Sequence, residues 1–198
     1  MSGPPRLLIC SIGNPAPYTN TLHSAGHLIL NALATTLEDA HTHTTTNPHT
    51  NPFLRSRMPG HGLLAAGPTY TLWKSPTLMN VSGPAVASAW TAFQRDPESR
   101  GRACRLVVVH DELELAPGRV NVKAGSNSPR GHNGLKSIRE ALRDQSYTRI
   151  GIGIGRPASR DAGVVATYVL RKMSLGEKQK IEGCVGKVVE ELAKLSKG

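Results

Sequence analysis

Residues 7–27 read LLICSIGNPAPYTNTLHSAGH, and the arrangement of the whole chain follows from them. An apolar run suited to a buried strand ends in Gly13-Asn14-Pro15, a polar connection follows, and His23 arrives just before an amphipathic segment that begins near Ala25. Strand, loop and helix entrance in that order place side chains at the carboxyl edge of an open α/β sheet, where such folds hold their ligands. Residues 25–37 carry Leu30, Leu33 and Leu37 at helical spacing, with Ser24 as a candidate N-cap.

The next decisive run is Leu106-Val107-Val108-Val109, β-branched and suited to burial on both faces. It ends in His110-Asp111-Glu112, so Asp111 also stands where a central strand leaves the sheet, either as a turn former or as a functional carboxylate. Between these two strands, residues 70–73 form a short strand, and a helix from Pro84 presents Val86, Ala89, Trp90 and Phe93. Asn80 lies just upstream of that helix, and by itself reads as a turn residue or capping partner.

Residues 119–123, RVNVK, alternate as in a strand with one wet face, expected antiparallel to its neighbours. A loop containing Arg130, His132 and Asn133 feeds a helix with Leu135, Ile138 and Leu142 on one side, an entrance that attracts anions, with Arg130 and Lys136 adding to the field. Residues 148–154 form another buried strand. Its Gly151, Gly153 and Gly155 read as close packing and not as a dinucleotide fingerprint, because Arg156-Pro157 follows instead of a helix. Residues 164–170 fit helix or strand equally. Residues 174–195 form one helix, with a capping box in Ser174 and Glu177.

Residues 38–68 shift to Thr, His, Asn, Pro and Gly, the composition of a long exposed loop and a flexible insertion. His41, His43 and His49 within it lack neighbouring Cys or carboxylates at ligand spacing, so no metal site is expected there. The alternation of strands and helices gives an α/β class with a mixed sheet, and 198 residues fit one domain burying about 70% of its unfolded surface. Lys plus Arg number 24 against 14 Asp plus Glu, a formal charge of +10 that favours a polyanionic partner such as RNA. Cys10, Cys104 and Cys184 are far apart and fit buried thiols in a reducing compartment. The first strand starts too early for a signal or transit segment, and no apolar run reaches membrane-spanning length, so a soluble intracellular protein is expected.

Asn14 and His23, Asn80, Asp111, and His132 with Asn133 thus point to one edge of the sheet. One His, one Asp and several carboxamides, with no Ser elbow or nucleophilic Cys motif, suit water as nucleophile: histidine takes its proton, aspartate orients the imidazole, and amides hold the developing oxyanion. Ester hydrolysis suits such a modest apparatus.

GNP at Gly13, LHSAG around His23, LMNVSG around Met79 and Asn80, VVHDELEL around Asp111, RGHNGLKS around Asn133 and RIGIGIGRP from Arg149 follow one another along the chain. In this order the motifs resemble the bacterial-type peptidyl-tRNA hydrolases. The resemblance implies a single-domain, monomeric α/β fold, a twisted mixed sheet with helices on both sides, that cleaves the ester between a peptide and the ribose of tRNA. It implies His23 as general base and Asp111 as its orienting partner. Asn14, Met79, Asn80, His132 and Asn133 would then line the substrate groove, and Lys123 and Arg149 would bind a tRNA phosphate. No cofactor, metal or membrane partner is implied. A cytoplasmic location is expected, with the mitochondrion left open. Ser24, a short link before His23 and Arg130 before GHNG are similar to the eukaryotic members. A binding-only reading, similar to the splicing factors related to this family, and a nucleoside phosphorylase-like reading stand beside the hydrolase.

Overall fold

The computed structural model describes residues 3–41, 53–55, 59–67 and 69–197. Strand β1 (Arg6–Ser11) is buried along its whole length, and its side chains alternate between two cores: Leu7 and Ile9 enter one, Leu8 and Cys10 the other. Helix α1 (Ala25–His41) packs Ile29, Leu30 and Leu33 on the first core. The chain returns through β2 (Leu54–Arg55), β3 (Leu63–Ala66) and β4 (Tyr70–Lys74), and then α2 (Ser82–Arg95) seals the second core with Val86, Ala89, Trp90 and Phe93. Strand β5 (Cys104–Glu112) repeats the alternation of β1, sending Val107 and Val109 to one side and Leu106 and Val108 to the other. Each of these aliphatic side chains contributes about 1.5–3 kcal/mol by leaving water.

After β5 come β6 (Val120–Ala124), α3 (Asn133–Leu142), β7 (Thr148–Gly153), α4 (Ala162–Leu170), α5 (Leu175–Glu182) and α6 (Val185–Ser196). Among the described residues, the sheet has seven strands in the order β2-β3-β4-β1-β5-β7-β6. Strands β4, β1, β5 and β7 are mutually parallel, while β6 runs antiparallel to β7, as RVNVK predicts, and β2 and β3 extend the other edge antiparallel. Helices α1, α4, α5 and α6 cover one face, and α2 with α3 the other. From β1 the chain crosses to β4 on one side, and from β5 it proceeds to β7 on the other, so the topological switch lies between the carboxyl ends of β1 and β5. That crevice is where open α/β sheets bind ligands. Among the described residues, no helix is long and apolar enough to cross a membrane.

Three expectations change. Within residues 38–68, α1 continues to His41 and β2 and β3 add a hairpin to the sheet, so the segment is not one long loop. Residues 42–52, 56–58 and 68 of the expected flexible insertion, including His43 and His49, lie outside the described residues. Residues 164–170 belong to a helix, because the Asp161 carboxylate accepts from the N–H groups of Gly163 and Val164 and so caps α4. Residues 174–195 form two helices. The Ser174–Glu177 capping box is present at the start of α5, but the Cys184 N–H bonds Ile181 O at 2.9 Å, a three-residue closure that tightens the backbone at Gly183 and Cys184. The apolar stripe survives this break, and Ile181, Val185, Val188 and Leu192 still reach the core.

Candidate active site

The turn after β1 is fixed from two sides. A Cβ at Gly13 would fall 2.6 Å from the His27 ring, so only glycine lets the chain leave the sheet there. Asn14, 5% exposed, accepts through Oδ1 from the Met79 N–H at 2.8 Å, tying this turn to the 3₁₀ turn Met79–Val81 that precedes α2. The Asn14 N–H donates to Ser24 Oγ at 3.0 Å, and that hydroxyl donates to Tyr18 O at 3.0 Å. Ser24 therefore does not cap α1, as its sequence position predicts. It lies inside the 3₁₀ turn Leu22–Ser24 and spans the loop that carries Asn14. Replacing Ser24 with Ala leaves a buried N–H unpaired and is expected to cost about 1–3 kcal/mol, read as a lower midpoint in denaturant unfolding.

The same short turn presents His23, whose Nδ1 lies 3.0 and 2.9 Å from the two oxygens of Asp111. Asp111 is 1% exposed at the end of β5 and takes a second imidazole, His132 Nε2, on Oδ1 at 3.1 Å. His132 is the N-cap of α3, and its Nδ1 accepts the Leu135 N–H at 3.3 Å. An accepting Nδ1 fixes the proton on Nε2, so His132 must donate to Asp111. His110, fully buried behind them, donates from Nδ1 to the backbone oxygen of Asp111 at 2.6 Å.

Burial opposes the charge on Asp111, but the His23 and His132 imidazoles outweigh it and hold the carboxyl well below the usual carboxylate range. Burial likewise opposes protonation of His23, yet the charge of Asp111 and its hydrogen bond prevail and raise the imidazole above its ordinary value. Burial, with the His132 charge adding, pushes His110 down to about 3, which leaves it a neutral spacer. With Nδ1 on the carboxylate, the free acceptor of His23 is Nε2.

These groups open on a groove of about 580 Å³ lined by Asn14, His23, Met79, Asn80, Asp111, His132 and Asn133. Asn80 is exposed and no side-chain cap of α2 comes from it, so its carboxamide is available to the groove. Val165, Ala166 and Val169 of α4 form the facing apolar wall, a contribution that the ambiguous pattern at 164–170 concealed. Tyr18, Glu112 and the Glu114–Arg156 ion pair also border the groove; the Asp and Glu positions of HDELEL were the available signal.

Lys123 and Arg149 are not brought into this groove. They are cross-strand partners on β6 and β7, and Lys123 is paired with Glu112 at 2.9 Å. Arg149 is 3% exposed and donates from Nη2 to Ser128 O at 2.9 Å, because its strand is interior and the loop before α3 folds over it. Of the implied basic pair, the structure leaves only Lys123 in partial contact with solvent. One ligand atom from each of His23, Asp111 and His132 falls within 4.8 Å of the others, a spacing a metal ion could bridge, but both imidazoles reach Asp111 as N–H donors and a cation would have to displace two protons.

The Peptidyl-tRNA hydrolase family model matches residues 8–198. The chain belongs to the peptidyl-tRNA hydrolase family. The peptidyl-tRNA hydrolase of Kineococcus radiotolerans is 38% identical over 173 residues, 87% of this chain and 81% of that protein. That of Methylococcus capsulatus is 36% identical over 197 residues, 96% and 92% of the two chains. A crystal structure of peptidyl-tRNA hydrolase from Acinetobacter baumannii superposes with a TM-score of 0.70 at 27% identity, covering 96% of this chain and 88% of that one. The expected family and α/β fold are both met.

Proposed function

We propose that this chain, as a member of the peptidyl-tRNA hydrolase family, hydrolyses the ester between a peptide and the terminal ribose of tRNA, with His23 as general base. The observation that carries this reading is a histidine whose Nδ1 is held by a fully buried carboxylate and whose Nε2 is left to a groove bordered by three asparagines. Neutral His23 removes a proton from water through Nε2, and the water oxygen attacks the ester carbonyl. The imidazolium, steadied by Asp111, then returns the proton to the departing ribose oxygen. Products are a free ribose hydroxyl and a peptide carboxylic acid, which releases its proton to solvent to become the carboxylate.

Asn14 has its oxygen occupied by Met79 N–H, so its NH₂ is the part left to donate to a substrate carbonyl. Asn80 and Asn133 are the further carboxamides for the peptide, the water and the tRNA end, and Met79 and His132 shape the floor between them. Exposed Tyr18, Leu78 and Val81 suit an apolar peptide segment. The exposed Arg130 ahead of α3, Lys136 and Arg139 on it and Arg143 just after it, with Lys123 on β6, suit the phosphate backbone. Arg149, being buried, would support that surface through Ser128 and not as a direct ligand. The three separate thiols fit work in the cytoplasm, and the site is complete within one copy of the chain. No observation favours a binding-only protein, since His23 and Asp111 are joined as a base and its partner.

The direct test is incubation with N-blocked aminoacyl-tRNA, expected to yield free tRNA and N-blocked amino acid; intact ester after prolonged incubation would contradict the reading. For Lys123→Ala, KM for this substrate is expected to rise and the log–log salt slope of tRNA binding to fall by about one.

A further inference from the structure

A second cavity, of about 1040 Å³, lies on the other side of the Gly13–Pro15 turn, with Asn14 lining both. Its walls come from the carboxyl end of β4, the outer side of α1 and the segment entering α5. Lys74, Lys172 and Lys178 line it, and no Asp or Glu is among the described lining residues. The first groove, by contrast, mixes Asp111, Glu112 and Glu114 with Arg130, Arg156 and Arg160.

Lys74 is the informative member. It is half-buried, donates to Asn31 Oδ1 at 2.7 Å and sits 4.3 Å above the centre of the Phe53 ring, but has no carboxylate partner among the described residues. Burial lowers its pKa, the mark of a charge held with incomplete compensation. Beside it, His27 shares a hydrogen bond with Ser11 Oγ at 2.7 Å and is driven by burial, and then by the Lys74 charge, down to about 3; it lines the cavity as a neutral ring. Lys172 and Lys178 are exposed above, Lys178 only loosely tied to Glu182 at 3.7 Å. The N-terminus of α5 does not supply the positive end, because its Ser174–Glu177 capping box already occupies it. Three lysines that line one cavity together with neutral Asn20, Asn31 and Ser75 offer donors suited to a multiply charged oxyanion.

We propose that this cavity is a phosphate-binding site, distinct from the hydrolytic groove, taking a phosphate group carried either by an RNA backbone or by a free phosphate compound. The site does not depend on the hydrolase reading, and a protein inactive on ester would still be expected to bind phosphate here.

The test is a backbone-amide NMR titration of the full chain with inorganic phosphate against chloride at equal ionic strength. Saturable shifts at Lys74, Ser75, Lys172 and Met173, abolished in Lys74→Met and weakened at least threefold in Lys172→Ala/Lys178→Ala, are expected. The double variant alters only exposed side chains, so it keeps the test valid if Lys74→Met misfolds. Adding deacylated tRNA to the phosphate-saturated protein separates the sources. Release of inorganic phosphate from the wild type, read as return of its 31P signal to the free position, with weaker tRNA binding by the double variant, assigns the site to RNA phosphate; phosphate that stays bound assigns it to a free phosphate compound. Shifts no larger than those with chloride, or equal in the wild type and double variant, would overturn the proposal.

Discussion

His23→Ala is expected to lower single-turnover cleavage of N-blocked aminoacyl-tRNA by roughly 10²–10⁴-fold, the usual worth of a positioned general base. The loss should fall on the chemical step and leave tRNA affinity nearly unchanged, because His23 is 18% exposed at the groove floor while the basic side chains lie along α3 and β6. Some stability should also be lost, since buried Asp111 keeps only His132 as a side-chain donor, so a denaturant midpoint is measured beside the rate to show that the variant is folded. Residual activity above the uncatalysed rate is expected from Asn14, Asn80 and Asn133, which would still position the ester and its oxyanion. Undiminished cleavage by this variant would remove His23 from the mechanism.

Asp111→Asn should be as damaging, again by roughly 10²–10⁴-fold, for a reason that lies in the second histidine. His132 is held in one tautomer by Leu135, so its Nε2–H requires an acceptor. An asparagine at 111 has one oxygen, and His132 claims it. The NH₂ then faces His23 Nδ1, which must accept, and the His23 proton moves to Nε2, where it cannot serve as base. The carboxylate that raises the His23 pKa is also gone while its burial remains, so whatever titration persists should move to lower pH. His132→Ala combined with Asp111→Asn frees the asparagine oxygen for His23 and should recover part of the rate. Equal rates for the single and double variants would contradict this account of the tautomers.

Much of the fold was legible because β1 and β5 carry the uninterrupted apolar runs 7–10 and 106–109 and end in polar residues that leave the sheet together. Strand polarity, the antiparallel β6 and the gathering of Asn14, His23, Asn80, Asp111 and Asn133 follow from such patterns. What stayed hidden depends on where side chains turn. Ser24 could be placed at a helix start, but its bonds to Asn14 and Tyr18 depend on a loop geometry that periodicity does not encode. His132 was legible as a groove residue, whereas its double role as N-cap and second Asp111 donor requires the α3 entrance to approach the end of β5. Arg149 reads as a basic residue on a strand near Lys123, yet interior β7 and the covering loop bury it. The helix break at Gly183 and Cys184 leaves no mark in the sequence pattern because both halves keep the same apolar stripe. Lys74 and Lys172 lie far apart in the chain and come to line one cavity only because α1 and the segment entering α5 flank the end of β4.

The most direct measurement is the single-turnover rate of wild-type protein against pH with saturating enzyme. Since neutral His23 is the reactive form and Asp111 raises its pKa, the rate should climb through one deprotonation with its midpoint above the unperturbed histidine value of about 6.5, then level off. In Asp111→Asn that limb should shift to lower pH at much reduced amplitude. A rate independent of pH across this range, or a wild-type midpoint that Asp111→Asn leaves in place, would contradict His23 as the base held by Asp111.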